Sequence, residues 1–380
     1  MDKELNDIVK RAYEKYKPIK DLYDEKGVSL LEKTLFEELP FIDKEWLSKY
    51  EFNEQYAVDI KQLVRVFTTS GTTGGCHFVG FTINDWELQV NNLCESFKLI
   101  GINSTDVFYD LIPRTTIFAA YVVLNAVEKI GATVFPAGIM DINKHLEIIN
   151  RIRPTILNGL AFFILKLGEN LDETIRKSIR IICLVGEVLY PETRIQIEEL
   201  YPNAQIYSGY GISEILTANE CIANEGFHYD DNQYIIEVIN KNSYGVGELV
   251  FTPLRAEAMP LIRYRCGDIG KIIKKPCKCG CALPRFIVLG RQDQMINIKG
   301  KLISKNLLKE EVYETIGIKY AFCQYNINKK YNLTLHYVGD INESELISKI
   351  KNKFDITVCI IKEVEISSNQ WKSEFILYEE

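Results

Sequence analysis

Four stretches of this chain gather side chains suited to phosphate, purine, sugar and metal within a few residues of one another. The first, Phe67-Thr68-Thr69-Ser70-Gly71-Thr72-Thr73-Gly74-Gly75, follows the short run Leu63–Phe67. Glycines let a backbone turn tightly and present its N–H groups, and hydroxyls add donors that wrap phosphate oxygens. The Gly-Lys-Ser/Thr ending of a Walker loop is absent, and the same composition also suits a flexible linker. The second stretch, Tyr210-Gly211-Ile212-Ser213-Glu214, offers a ring for a purine, a hydroxyl for a phosphate and a carboxylate for Mg²⁺. The third, Ile262-Arg263-Tyr264-Arg265-Cys266-Gly267-Asp268, ends in a carboxylate able to accept from both ribose hydroxyls. The fourth is Leu289-Gly290-Arg291-Gln292-Asp293-Gln294. Each of the last three, taken alone, reads as a turn or a surface ion pair. Separately, Cys277, Cys279 and Cys281 cluster in Pro276–Cys281, whereas Cys76, Cys94, Cys183, Cys266, Cys323 and Cys359 are dispersed and fit small buried hydrophobes.

These residues need a scaffold, and 380 residues is long enough for two or more domains. Hydrophobic residues at 47% and charged residues at 26% match a soluble globular chain. A net charge of −7 implies no basic face, so nucleic acid is not an expected partner. The N-terminus, MDKELNDIVKRAYEKYK, lacks a signal-peptide core, and no apolar run approaches the roughly 20 residues that span a bilayer. The expectation is a cytoplasmic enzyme with reduced thiols and no membrane contact.

The first segment carries an amphipathic helical stripe at Leu5, Ile8, Val9, Ala12, Tyr13 and Tyr16. From about residue 104, short apolar runs (Val107–Tyr109, Ala132–Phe135, Thr155–Leu157, Ile179–Val185, Gln205–Tyr207) alternate with helical stretches near 117–130, 143–152 and 191–200. Such βαβ alternation predicts an α/β fold with a doubly wound, mostly parallel sheet. Ligands of these sheets bind at the carboxyl edge, where the Tyr210–Glu214 stretch falls. Tyr234–Ile239 and Glu248–Thr252 alternate around a turn-rich segment and predict a β-hairpin in a β-rich portion. Beyond residue 294 the order helix, strand, strand, helix, strand predicts a small α+β domain, with Tyr320–Ile327 and Tyr331–Tyr337 as its middle strands. The expected division is 1–290 and 291–380.

Together, in this order, the four stretches resemble the adenylate-forming superfamily of acyl-CoA synthetases, adenylation domains and luciferases over nearly the whole chain. The segments Gly131–Gly138 and Glu257–Arg265 are similar to the phenylacetate–CoA ligase branch. The resemblance implies ATP-dependent conversion of an aryl or short acyl acid to its acyl-adenylate, with pyrophosphate release, then transfer to the thiol of CoA. It assigns Thr69, Ser70, Gly71, Thr72, Thr73 and Gly74 to the β- and γ-phosphates, and Gly186 and Glu187 to the loop lining the adenine and acyl pockets. Tyr210 stacks on adenine in this reading, Ser213 contacts the α-phosphate and Glu214 binds Mg²⁺. Asp268 binds the ribose hydroxyls with help from Arg291. Asp293 is the hinge about which the mobile C-terminal domain rotates, and Lys372, in Gln370-Trp371-Lys372-Ser373, is the catalytic lysine. A homodimer is what the branch suggests.

Three departures from the family stand out. Gly75-Cys76 replaces the usual Lys-Pro, removing a loop lysine that would hold pyrophosphate; Cys266 replaces a usual Thr. Asp110–Thr116 replaces a Gly- and Tyr-rich stretch, leaving Arg114, with Phe162 and Phe163 nearby, either to pair with a second polar group on the acid or to face solvent. The cluster Cys221, His228, Cys277 and Cys279 supplies four soft ligands for a closed, structural Zn²⁺ site, against the plainer reading of free thiols; Cys281 stands where an Arg is usual and is a competing ligand. Two rival functions stay open: adenylation with transfer to a carrier-protein thiol or an amine, and a weakened nucleotide-binding regulator.

Overall fold

The computed structural model describes residues 3–30, 35–69, 77–114, 118–186, 189, 191–292, 295–298, 301–313, 315, 317–325, 333–363 and 376–378, and the chain divides into two compact units, Met1–Val288 and Leu289–Glu380. Helix α1 (Lys3–Lys15) buries Ile8, Val9 and Ala12, the stripe read from sequence. Helix α2 (Lys17–Glu25) follows, with a proline in its first turn where no N–H is lost. Strand β1 (Ile42–Asp43) runs into α3 (Lys44–Leu47), whose cap is the Asp43 carboxylate accepting from the Trp46 N–H. Strands β2 (Arg65–Thr69) and β3 (His77–Phe81) form an antiparallel pair. Helix α4 (Ile83–Leu99) then starts on a Thr82/Asp85 capping box.

The central sheet is built from β4 (Val107–Asp110), β5 (Thr133–Pro136), β6 (Ile156–Gly159), β7 (Ile181–Leu184), β8 (Gln205–Ile212) and β9 (Leu216–Asn219). Between them lie α5 (Phe118–Ile130), α6 (Ile142–Ile152), α7 (Ala161–Asn170), α8 (Glu173–Ser178) and α9 (Pro191–Leu200). The strand order is β5-β4-β6-β7-β8-β9, with β4 to β8 parallel and β9 antiparallel to β8. Alternate residues of each strand face opposite ways, so each strand feeds two cores. Phe108, Ile156, Ile181 and Tyr207 pack with Trp86, Phe97 and Val122 from α4 and α5. Tyr109, Leu157, Ile182 and Ile206 pack with Ile164, Leu167 and Ile197 from α7 and α9. Helices on both faces explain why β6 and β7 are buried at every position.

A second, mainly antiparallel sheet holds β10 (Phe227–His228), β11 (Tyr234–Ile239), β12 (Gly247–Pro253), β13 (Tyr264–Ile273) and β14 (Arg285–Arg291) in the order β10-β14-β13-β12-β11, with β1 pairing to β13. The expected hairpin is β11–β12, paired from Tyr234↔Pro253 to Ile239↔Glu248.

The second unit contains β15 (Met295–Ile298), β16 (Lys301–Ser304), α10 (Lys305–Tyr313), β17 (Ile318–Tyr325), β18 (Leu333–Gly339), α11 (Glu343–Phe354), β19 (Val358–Lys362) and β20 (Ile376–Tyr378). Its main sheet runs β19-β18-β17-β20. Two features escaped the sequence pattern: the β15–β16 hairpin and the terminal β20. Both are too short for an alternation to register. The fold class, α/β with a parallel sheet, a β-rich portion and a smaller α+β unit, is as expected. Among the described residues no helix is long and apolar enough to cross a membrane.

One close approach governs the β-rich portion. A Cβ added to Gly270 on β13 would overlap the Ile287 carbonyl oxygen of β14, with Leu249 Cδ1 only 2.8 Å away. Gly270→Ala should therefore force the strands apart and cost about 1–3 kcal/mol, the usual range for overpacking. Urea unfolding reads this directly, and an unchanged midpoint would show that the strands have room to part.

Candidate active site

The sheet order places its reversal between β4 and β6: the chain goes from β4 outward to β5, then crosses to β6, β7 and β8. The carboxyl ends of strands at such a switch point frame a crevice for ligands. Asp110 and Asn158 stand at these ends, on β4 and β6. Gly186 follows β7, exposed and at φ 91°, a conformation that favours glycine. Its neighbour Glu187 lies outside the described residues.

Strand β8 is longer than the sequence suggested. Its first half pairs with β7, and its second half, Gly209–Ile212, turns back against β9. Tyr210 thus sits in a strand, locked among Phe227 at 5.5 Å, Phe286 at 5.3 Å and Phe251 at 6.4 Å between ring centroids. Its hydroxyl donates to Asp268 Oδ2 on β13. Burial, then the Asp268 charge, pushes the Tyr210 pKa well up, so the ring stays a neutral donor. Two residues 58 apart in sequence, expected at adenine and ribose, are therefore neighbours. Cys266, where Thr was usual, is buried and its thiol donates to the Leu249 carbonyl at 3.8 Å, a packing role.

Ser213 and Glu214 occupy the β8–β9 turn, which closes with the Ile215 N–H on the Ile212 carbonyl at 2.9 Å. Ser213 is half-buried and Glu214 is 7% exposed. Tyr264 on β13 donates its hydroxyl to Glu214 Oε1 at 3.1 Å. Lys44 Nζ from α3 stands 3.5 Å from that oxygen, and His77 Nε2 from β3 stands 3.8 Å away. A hard, buried carboxylate oxygen suits Mg²⁺, an ion that would compete with the Lys44 ammonium for it. Lys44, His77 and Tyr264 were not singled out from sequence, because they lie far apart along the chain. His77 carried one usable signal, its place directly after the Thr/Ser/Gly stretch. Of that stretch, Thr69 ends β2, and its side chain, with Ser70, Gly71, Thr72, Thr73 and Gly74, lies outside the described residues.

The residues expected at the acyl pocket are arranged differently from a free cation among aromatics. Arg114 Nη2 holds Asp110 Oδ2 at 2.7 Å, and Asn158 Nδ2 donates to Asp110 Oδ1 at 2.7 Å. Burial raises the fully buried Asp110 carboxyl to about 6, even against Asn158 and Arg114. Arg114 is thus neutralised within the chain. Phe163 is half-buried against the His145 ring at 5.2 Å, and Phe162 is 70% exposed. Arg291 ends β14, half-buried. Asp293 and Lys372 lie outside the described residues.

The cysteine cluster is assembled. The ligand atoms of Cys221, His228, Cys277 and Cys279 all lie within 4.8 Å of one another, with Cys221 Sγ 3.4 Å from Cys277 Sγ and Cys279 Sγ 3.4 Å from His228 Nε2. Zn–S bonds of about 2.3 Å would put neighbouring sulfurs roughly 3.8 Å apart, so the set is at tetrahedral scale. His228 Nδ1 pairs with the Leu283 carbonyl at 2.9 Å, which fixes its proton there and leaves Nε2 as a lone-pair donor. Cys281 is outside the set of four; its backbone N–H donates to Cys279 Sγ at 3.4 Å. Arg285, 2% exposed, clamps both ligand loops by donating to the Glu225 carbonyl at 3.0 Å and the Lys275 carbonyl at 2.8 Å.

Comparison with known proteins agrees with this geometry. The family model for AMP-binding enzymes matches residues 8–235. The chain is 26% identical to a phenylacetate–coenzyme A ligase of Thermus thermophilus, over 93% of this chain and 81% of that one. It is also 26% identical to the Escherichia coli phenylacetate–coenzyme A ligase, over 89% of this chain and 81% of the relative. A solved structure of 2-hydroxyisobutyryl-CoA ligase, in an open conformation with 2-HIB-AMP and CoA, superposes with a TM-score of 0.80 at 19% identity, covering 98% of this chain and 90% of that one. With the residue match, the sheet-edge site and the relatives in agreement, this chain belongs to the AMP-binding enzyme family, on its phenylacetate–CoA ligase branch.

Proposed function

We propose that this protein is an AMP-forming acid–thiol ligase, activating a small carboxylic acid with ATP and passing the acyl group to CoA. The observation that carries the reading is the meeting of Tyr210, Ser213 and Glu214, on β8 and the turn after it, with Asp268 and Tyr264 from β13 of the second sheet. Tyr210 is in place to stack on adenine, while Asp268, already oriented by the Tyr210 hydroxyl, accepts from ribose. Ser213 faces the α-phosphate in this reading. A carboxylate oxygen of the acid attacks the α-phosphorus, and the bond to pyrophosphate breaks. Both reactants are anionic, so charge must be offset where it builds up. Glu214 would hold a Mg²⁺ ion, which would supply part of that offset. The Lys372 ammonium supplies the rest. The CoA thiolate then attacks the acyl carbon, and AMP leaves. An aryl or short acyl acid is the substrate class we assign, with the loop at Gly186 between the adenine and acyl ends.

The second part of the proposal is a structural zinc. Three thiols and an imidazole with its other nitrogen committed to Leu283 leave no open position, which suits a scaffold ion rather than a catalytic one. The protein purified without added zinc should carry about one Zn²⁺ per chain. Cys279→Ser should lose the metal and lower the melting temperature. Elemental analysis showing no stoichiometric metal would remove the zinc and leave the ligase reading untouched.

The chemical proposal is tested by pyrophosphate exchange with a panel of acids, followed by CoA, carrier-protein and amine acceptors. Exchange with no acid at all would favour a regulator. Lys372→Ala should slow exchange by roughly 10²–10³, the usual effect of losing one preorganised charge-stabilising group. It should largely spare thioester formation from presynthesised acyl-adenylate, because the small domain carries the lysine away before the thiol attacks. Normal exchange in the variant means that Lys372 is not the catalytic lysine; equal loss of both steps means a structural role.

A further inference from the structure

His77 is a buried imidazole, 7% exposed, and neither ring nitrogen has a hydrogen-bond partner among the described residues. Buried polar groups are nearly always paired, because an unpaired one forfeits its bonds to water. Glu214 Oε1 stands 3.8 Å from Nε2, too long for a hydrogen bond. Burial lowers the pKa of the ring, against the raising charge of Glu214, and in either protonation state an imidazole has an N–H to donate.

Its position says what would accept that N–H. In the β2–β3 pair His77 lies directly across from Thr69. It therefore opens β3 directly after the Ser/Thr/Gly stretch that the family resemblance assigns to phosphate. Glu214, the proposed Mg²⁺ ligand, lies 3.8 Å from its Nε2, and the Lys44 ammonium stands 3.5 Å from the same carboxylate. Surplus donors around one carboxylate favour an anionic, oxygen-rich ligand. The chain also lacks a lysine at position 75.

We propose that His77 is a triphosphate-binding residue: with ATP bound, its N–H donates to a β- or γ-phosphoryl oxygen beside Glu214. It thereby replaces in part the missing loop lysine with an imidazole N–H supplied two residues later. The inference rests on the ATP-dependent reading above and goes beyond it in assigning a contact that distinguishes ATP and pyrophosphate from AMP, which has no such oxygens.

The test measures binding by calorimetry, without acid, for ATP, inorganic pyrophosphate and AMP with Mg²⁺ present. His77→Phe keeps the bulk and removes the donor; His77→Gln keeps a donor. The phenylalanine variant should bind ATP and pyrophosphate about tenfold more weakly, the scale for one hydrogen bond to a charged group. AMP affinity should hold, and the glutamine variant should recover most of the ATP affinity. The ligand-free melting temperature of His77→Phe should not fall, since a group without partners has been replaced by an apolar one. His77→Leu carries the same comparison should the larger ring prevent folding. Unchanged ATP affinity in the apolar variant overturns the proposal, and so does a parallel loss of ATP and AMP. Wild-type protein that binds no ATP sinks the adenylation reading itself, a separate outcome from wild type and variant binding ATP equally.

Discussion

The Glu214 carboxylate ties together parts of the chain that share no sequence neighbourhood. It sits in the turn where the parallel sheet ends and β9 turns back, and its surroundings come from three other places. Tyr264 arrives from the second sheet, Lys44 from a short N-terminal helix and His77 from the strand after the Ser/Thr/Gly stretch. A charge with 7% exposure is tolerable only with a hydrogen bond and opposite charge nearby. Both are present, supplied by Tyr264 and Lys44 from distant parts of the chain. The surroundings of Glu214 and the packing of the N-terminal segment are therefore one constraint. Strand β1 pairing with β13, one step before α3, is what delivers Lys44.

The second sheet is organised around another long-range tie. Arg285 is almost wholly buried, yet its guanidinium donates to carbonyls of the two loops that carry the cysteines and His228 and pairs with the Glu225 carboxylate. Arginine suits this because its planar fork reaches several acceptors at once. The pairing His228↔Arg285 brings the imidazole to the same place by backbone register. Phe286, the next residue, faces the opposite way and packs edge-on against Tyr210. One strand thus supports the cysteine cluster with one side chain and the Tyr210 ring with the next.

Most of this fold was legible in the sequence where a pattern repeats. The parallel strands appear as apolar runs between helical stripes, and the β11–β12 hairpin appears as alternation around a turn. Hairpin β15–β16 and strand β20 were not legible, being too short to show a period. Within the site, Tyr210, Asp268 and Glu214 could be named because each sits in a compact motif with neighbours of telling chemistry. Lys44 and Tyr264 could not be given roles, since a lysine in Asp43-Lys44-Glu45 and a tyrosine in an apolar strand are ordinary by themselves. Their meaning arises only when folding places them on the same carboxylate. The cysteine set was legible because soft ligands are rare enough for a cluster to matter.

Arg114 shows the opposite case, in which a residue type takes its meaning from its partner. An arginine in an apolar stretch suggests a hook for a second anion, but Asp110 lies four residues earlier and at the buried end of β4. The pair is charge-balanced, and Asn158 takes the other carboxylate oxygen. An anionic substituent entering there would shed its water, yet the cation it needs already serves a carboxylate raised to about 6 by burial. Desolvation of that kind is recovered only by a partner with charge to spare. A neutral acyl group avoids the penalty altogether. The same buried pair that ends β4 therefore leaves Arg114 little charge to spare for a second anion.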